Sequence, residues 1–344
     1  MVLKIRKFPA REFVTILLPM TVSVRSYAKI NIGLAIGAAR ADGFHELRTM
    51  YQTVAIHDTL RVAIEAGEGI EIHCSDARVP RDGTNTCHRV AERVMHSLNR
   101  AGRVVITIEK NLPVQGGIGG GSSNAVATLF ALERCLDVAI PATEKLRIAS
   151  EVGSDLPLFL LGGLVLGCGR GEEVYPLPDL PALPCVIVTP QVAVSTPQAF
   201  RAWDALMAAA PPAGGLTLPS ASATIKQFSS SAFEWLSGMT SSGVPAAGGD
   251  RAETLLLDLV RTGIVNDFER VVFPLNPELR DVKLQLERAG ASYASLSGSG
   301  STLYGFFRTQ EAAQAAAEKI RQAGTAAIAT ATLPRNAYRE QMFG

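Results

Sequence analysis

The alternation of apolar and polar positions begins at Val22. Even positions carry Val22, Val24, Ser26, Ala28, Ile30, Ile32, Leu34 and Ile36, and odd ones carry Arg25, Tyr27, Lys29, Asn31 and Gly33. A two-residue period of this length predicts a long half-buried strand, with Lys29 and Asn31 together on its polar face. An Asp42-Gly43 turn follows, with Phe44 and His45 just beyond it, and alternation resumes from 54 to 64 and at 70 to 72. Phe44 reads as a core aromatic and His45 as a turn-capping group. Helical spacing takes over from about 87 to 98. A β-branched strand spans 104 to 108, and further helices are predicted over 125 to 136 and 141 to 152, the last ending at Gly153.

From 176 to 184 the chain is a proline-rich connector, which marks a domain boundary. Beyond it the pattern predicts a strand at 185 to 188 and a helix at 197 to 207. The stretch from 208 to 250, rich in Ala, Pro, Gly and Ser, reads as a mobile surface insertion with at most one short helix near 233 to 236. Helices then fall at about 253 to 261, 266 to 272 and 277 to 289. A hairpin, 293 to 296 and 302 to 307, turns around Ser297-Gly298-Ser299-Gly300-Ser301, followed by a helix at 311 to 323 and a last strand at 326 to 333. Interleaving of this kind predicts an α+β chain whose second domain has its own small sheet.

The chemistry concentrates in Pro113-Val114-Gln115-Gly116-Gly117-Ile118-Gly119-Gly120-Gly121-Ser122-Ser123-Asn124, between a strand and a helix start. Five glycines in six positions remove the Cβ atoms that would keep a bulky anion away. They leave backbone N–H groups and two hydroxyls at the positive end of a helix, a phosphate cradle. The loop lacks the lysine of a Walker motif, and no acidic residue closes a dinucleotide-binding βαβ unit. Any cation or base for phosphoryl chemistry therefore comes from elsewhere in the chain. Asp155, in Gly153-Ser154-Asp155-Leu156-Pro157, reads as a helix N-cap. Gly167-Cys168-Gly169-Arg170-Gly171-Glu172 is a second close-packed glycine stretch.

Composition narrows the partners. A net charge of +1 over 344 residues gives no polyanion bias and argues against nucleic acid. Five cysteines with no C-x-x-C pair argue against a disulfide framework or a structural zinc and favour a reducing cytoplasm. No run approaches the roughly 20 apolar residues of a membrane span. Residues 1 to 20 carry basic positions and a short apolar patch without a cleavage signal. They read as a disordered extension, with Met20 as an alternative start.

The glycine loop, the Ala28-Lys29-Ile30-Asn31 strand and the late Ser-Gly-Ser-Gly-Ser hairpin together resemble the three motifs of the GHMP small-molecule kinases. Within that superfamily the match narrows to the 4-diphosphocytidyl-2-C-methyl-D-erythritol kinases. The marks are Arg40 to Leu47, Gly153 to Pro157, Gly169 to Glu172 and Asn266-Asp267-Phe268-Glu269. The resemblance implies a ribosomal-S5-domain-2-like N-terminal domain at 21–178 and a ferredoxin-like C-terminal domain at 179–344 carrying the 208–250 insertion. It implies ATP as co-substrate, with Mg2+ held by phosphates and by Ser122 or Ser123, and a cytoplasmic monomer or weak homodimer.

Carried over by residue, the resemblance makes Lys29 and Asp155 the catalytic pair. Pro113, Val114, Gln115, Gly116, Gly117, Ile118, Gly119, Gly120, Gly121, Ser122 and Ser123 become the ATP-phosphate loop, with Asn85 and Lys110 also at the nucleotide. It puts Asn31, Phe44, His45 and Phe200 at the acceptor substrate, with His45 reading the cytosine edge and the two phenylalanines on its faces. Phe44 stands where the family usually has tyrosine, while Gln115 and Ser154 replace residues that are commonly small or alanine. Mevalonate, homoserine and sugars carry no flat base, so the Phe44, His45 and Phe200 group argues against a kinase that acts on them. A non-catalytic ligand sensor would have no need of a carboxylate beside a cation.

Overall fold

The computed structural model describes residues 20–114, 116–209, 221–237, 256 and 258–344. Strands β1 (Val22–Ala39) and β2 (His45–Glu65) form one long antiparallel hairpin across the Asp42-Gly43 turn. The far edge of β2 serves two partners. Its first half pairs with β5 (Leu164–Cys168) and its second half with β4 (Arg103–Glu109). Strand β3 (Gly69–Cys74) lies parallel to β4, and β6 (Glu173–Pro176) closes the other side.

Where sequence alternation predicts a half-buried β1, the strand is buried on both faces from Ser26 to Gly37. A register shift after Tyr27 changes the phase. Val22, Val24 and Tyr27 therefore enter the core of the first domain, whereas Ala28, Ile30 and Ile32 pack with Tyr304 and Phe306 of the second sheet. That second sheet runs in the order β10 (Ala326–Ala331), β7 (Pro184–Thr189), β9 (Leu303–Phe306), β8 (Tyr293–Leu296), antiparallel throughout.

Four helices cover the first sheet: α1 (Thr86–Ser97), α2 (Gly120–Leu136), α3 (Ala142–Val152) and α4 (Leu156–Leu161). In the second half come α5 (Thr196–Ala209), α6 (Ala221–Ser237), α7 (Glu269–Leu275), α8 (Pro277–Arg288), α9 (Gln310–Gln322) and α10 (Arg335–Gln341). Helix α6 corrects the expectation of a mobile insertion over its span. Its Phe228, Ala232 and Trp235 are buried in the cluster that holds Ile30 and Ile32, so an apolar stripe at helical spacing docks it. The short strands β5 and β6 and the helix α10 are not anticipated by the pattern. The expectations for residues 1 to 19, 210 to 220 and 238 to 255, and for Gln115, lie outside the described residues.

Candidate active site

Lys29 and Asn31 share one face of β1, and the fold closes that face. Lys29 is 2% exposed, and its Nζ donates to Asn31 Oδ1 and to the carbonyl of Gly117, both at 2.7 Å. The same Nζ lies 3.3 Å from Asp155 Oδ2. Asn31 Nδ2 donates to Thr49 Oγ1 at 2.9 Å, and that hydroxyl donates to the Gly33 carbonyl at 2.7 Å, which fixes the amide's orientation. Asp155 precedes α4 as an N-cap would, but its side chain makes no cap hydrogen bond. Its backbone is already helical, and the carboxylate turns instead to Lys29 and to the phenol of Tyr51, which donates to Oδ1 at 3.3 Å. Burial, then the Asp155 charge, holds the Tyr51 phenol well above its usual pKa, so it stays a neutral donor.

The glycine loop is held by its carbonyls. Gly116 O accepts from Thr302 N at 3.0 Å, Gly117 O from Lys29 Nζ and from Ser297 Oγ at 3.1 Å, and Ile118 O from Lys29 N at 3.0 Å. In a trans peptide the N–H opposes the C=O, so these bonds turn the amides of Gly117, Ile118 and Gly119 away from the donors. A cavity of about 360 Å³ lies along the loop, lined by Asn85, Lys110, Pro113, Gly119, Gly120 and Ser122 among others. Both of the more distant residues have structural partners as well. Asn85 caps α1, accepting from Cys87 N at 2.9 Å, and Lys110 pairs with Asp58 at 2.6 Å. Of the two serines, Ser123 is buried and accepts from Ser26 Oγ at 2.7 Å, whereas Ser122 faces the cavity.

The second domain completes the site through its hairpin turn. Asn266 Nδ2 donates to the carbonyls of Leu296 and Gly298, each at 2.8 Å. Glu269 Oε1 accepts from Ser295 Oγ at 2.8 Å and Leu296 N at 2.9 Å. The Asn266-Asp267-Phe268-Glu269 motif is thus a clamp on the turn, which in turn places Ser297 against Gly117. Phe268 continues the clamp outward, edge-on to Phe200 at 5.0 Å.

His45 and Phe200 come together as parallel rings 4.9 Å apart, while His45 Nε2 lies 2.7 Å from Asp204 Oδ1 on α5. That bond orients the imidazole parallel to Phe200. Phe44, read from the pattern as core, is 51% exposed, with the Arg170 guanidinium 5.0 Å over its ring. One face of Phe200 is therefore covered by His45 and one face of Phe44 by Arg170. Sequence reasoning missed Tyr51 and Asp58. Tyr51 sits opposite Asn31 in the hairpin register, but that pairing follows from register shifts which nothing local in the sequence signals.

The models of the GHMP kinases N terminal domain and of the GHMP kinases C terminal domain match residues 85–163 and 252–326. A 4-diphosphocytidyl-2-C-methyl-D-erythritol kinase of Solibacter usitatus is 37% identical over 316 residues, covering 92% of this chain and 90% of the relative. The protein of the same name from Moorella thermoacetica is 32% identical, over 91% of this chain and 99% of its own. A crystal structure of 4-(cytidine 5'-diphospho)-2C-methyl-D-erythritol kinase superposes with a TM-score of 0.67 at 28% identity, covering 90% and 98% of the two chains. A homoserine kinase from Cytophaga hutchinsonii, at 21% identity and a TM-score of 0.65 over 91% and 95%, shares the fold. With both domain models matched along the chain, and with relatives matched over nearly their whole length, the chain belongs to the GHMP kinases, in the family of the 4-diphosphocytidyl-2-C-methyl-D-erythritol kinases.

Proposed function

We infer that this protein transfers the γ-phosphoryl group of ATP to the 2-hydroxyl of 4-diphosphocytidyl-2-C-methyl-D-erythritol, giving the 2-phosphate in the non-mevalonate route to isoprenoid precursors. The observation that carries the chemistry is the Lys29–Asp155 pair at 3.3 Å, joined to the glycine loop through Gly117 O. Phosphoryl transfer is chiefly positioning and charge stabilisation, with a carboxylate taking the proton of the attacking hydroxyl. Asp155, whose side chain is 36% exposed, is the acceptor within reach of a substrate. Lys29 balances that carboxylate and reaches toward the phosphate oxygens on which charge develops. Asn31 fixes the ammonium, and the loop amides with the start of α2 receive the ATP phosphates. Asn85 and Lys110 wall the nucleotide side of the cavity.

Magnesium fits a site of this composition. It favours phosphate oxygens and water over a dedicated protein cage. Ser122, on the cavity wall, would share it with the phosphates. When bound it would neutralise charge on the phosphates. His45, stacked on Phe200, and the exposed face of Phe44 are assigned to the cytosine, with Asp204 holding the imidazole. We assign the protein to the cytoplasm, where ATP is at hand and where five cysteines without a C-x-x-C pair would stay reduced. No helix among the described residues is long and apolar enough to cross a membrane.

A coupled ADP-release assay comparing 4-diphosphocytidyl-2-C-methyl-D-erythritol with mevalonate, homoserine and galactose tests the reading. Turnover is expected with the first alone. Comparable kcat/KM on any of the other three would overturn the substrate assignment while leaving the kinase intact.

A further inference from the structure

The stretch Gly167-Cys168-Gly169-Arg170-Gly171-Glu172 has no part in the chemistry above, yet its glycines leave room for one side chain. A Cβ built on Gly167 would overlap the ring of Tyr51, and one on Gly171 would overlap its hydroxyl. The Gly167 carbon faces Cε2 and Cδ2, and the Gly171 carbon faces the phenol oxygen. The two glycines thus shape a slot that holds Tyr51 at 3% exposure with its hydroxyl aimed at Asp155 Oδ1, 3.3 Å away. On the other side of the carboxylate, Lys29 Nζ takes Oδ2 and sits 5.5 Å from the Tyr51 ring centroid. Opposite Tyr51 in the sheet is Asn31, so phenol, amide and ammonium are set by one cross-strand register.

We propose that Tyr51 is a positioning residue for the phosphoryl-transfer step: its phenol, seated by Gly167 and Gly171, fixes the rotamer of Asp155 so that one carboxylate oxygen is oriented toward the acceptor hydroxyl. The inference rests on Asp155 being the proton acceptor. A carboxylate held at only one oxygen by a lysine remains free to rotate about its terminal torsion, which is broad and roughly two-fold. The second donor removes that freedom, and a preorganised base loses nothing to reorientation at the moment of reaction. The phenol suits this task because burial keeps it protonated, so it donates and does not compete for the proton. Phenylalanine fits the same slot without the hydroxyl, and the oxygen it would leave belongs to a partly exposed carboxylate that water can reach.

Steady-state kinetics of Tyr51→Phe, Asp155→Asn and the double variant test the proposal. Tyr51→Phe is expected to lower kcat by about 3–10-fold, the worth of one hydrogen bond, with the KM values of both substrates and the thermal midpoint nearly unchanged. Asp155→Asn is expected to lose about 10²–10⁴-fold. In the Asp155→Asn background, Tyr51→Phe should have no further effect, since a group that acts through another is silent once the other is gone. The proposal is overturned by an unchanged kcat in Tyr51→Phe, by an equal loss in both backgrounds, or by a loss that resides in KM. If Asp155→Asn itself kept near wild-type turnover, the acceptor assignment would fall, and the inference with it. An inactive Asp155→Asn beside a fully active Tyr51→Phe would sink the inference alone.

Discussion

Asp58 shows how much of the wall of the glycine-loop cavity depends on a single buried charge. It is fully buried, and its two oxygens accept from Lys110 Nζ at 2.6 Å, Asn124 Nδ2 at 3.0 Å, Asn111 N at 2.8 Å and Leu112 N at 2.7 Å. Those donors flank the glycine loop on both sides, so one carboxylate ties the end of β4 to the first turns of α2. Breaking a buried ion pair by removing one partner costs about 3–5 kcal/mol, because the other charge is left uncompensated. Asp58→Ala should therefore lower unfolding free energy by about that amount in urea titration and raise the KM for ATP. A change below about 1 kcal/mol would mean that the pair adds little. Nothing in Ile56-His57-Asp58-Thr59-Leu60 announces the role, because every donor lies more than fifty positions downstream. Lys29 and Asn31 were legible for the opposite reason: a spacing of two on one strand puts both on one face, whatever the rest of the chain does. Their burial was not legible, since the loops that cover them come from 117 and 297. Phe200 stacks on His45, and on the proposed assignment of these rings to the cytosine, Phe200→Ala should raise the KM for the diphosphocytidyl substrate with little effect on that for ATP. Removing one stacking aromatic is worth on the order of 1–3 kcal/mol. A rise confined to the ATP constant would move these rings to the adenine side.

At the scale of the element, the glycine loop divides into positions the fold needs and positions the ligand needs. Gly119 has φ +71°, and a Cβ there would come within 2.9 Å of the Phe159 ring and 3.0 Å of Lys29 Cγ. Gly120 begins α2 with ordinary helical backbone, and the nearest atoms to a Cβ there would be Lys110 Nζ at 3.5 Å, on the cavity wall, and the buried Leu112 at 3.6 Å, both at ordinary contact distance. Gly119→Ala is accordingly expected to destabilise the protein and disturb Lys29. Gly120→Val should fold with a thermal midpoint close to wild type, while its branched side chain fills the space of the phosphates. Isothermal titration with a non-hydrolysable ATP analogue should show weakening of at least about tenfold for Gly120→Val, the equivalent of 1.4 kcal/mol. Undiminished affinity in the folded variant would remove the phosphates from this loop. The change of hydrophobic period on either side of the glycines placed this strand–loop–helix unit from sequence. Strands β5 and β6 escaped the same reading because glycines interrupt the pattern, Gly167 inside β5 and Gly169 and Gly171 in the turn between the two strands.

Across the whole molecule, the chain returns at its end to the domain in which it began. Strand β10 belongs to the second sheet, but Leu333 N bonds to Thr53 O at 2.8 Å, and α10 then settles on the first domain. Tyr338 donates to Phe159 O at 2.7 Å, at the end of α4, and its ring occupies the space that a Cβ on Gly162 would need. Arg335 donates to the carbonyls of Gly162 at 3.2 Å and Leu164 at 2.7 Å, while Asp179 accepts from its backbone N at 3.0 Å. The last helix thus braces the segment running from α4 into β5, and α4 begins directly after Asp155. Short sequence periodicity gave α10 no voice, because seven residues with one buried side chain carry no amphipathic signature. Two consequences can be separated experimentally. Tyr338→Ala removes a fully packed aromatic and should cost about 3–5 kcal/mol of stability, as large-to-small changes at buried aromatics do. Tyr338→Phe removes only the bond to Phe159 O and leaves one backbone acceptor unpaired, which should cost about 1–3 kcal/mol. If α10 braces the Asp155 segment, hydrogen exchange in Tyr338→Ala should rise first at 156 to 164, with the second sheet, β7 to β9, keeping its protection until global unfolding. Uniform loss of protection in both domains would show that the helix stabilises the molecule as a whole and exerts no particular hold on the segment that follows Asp155.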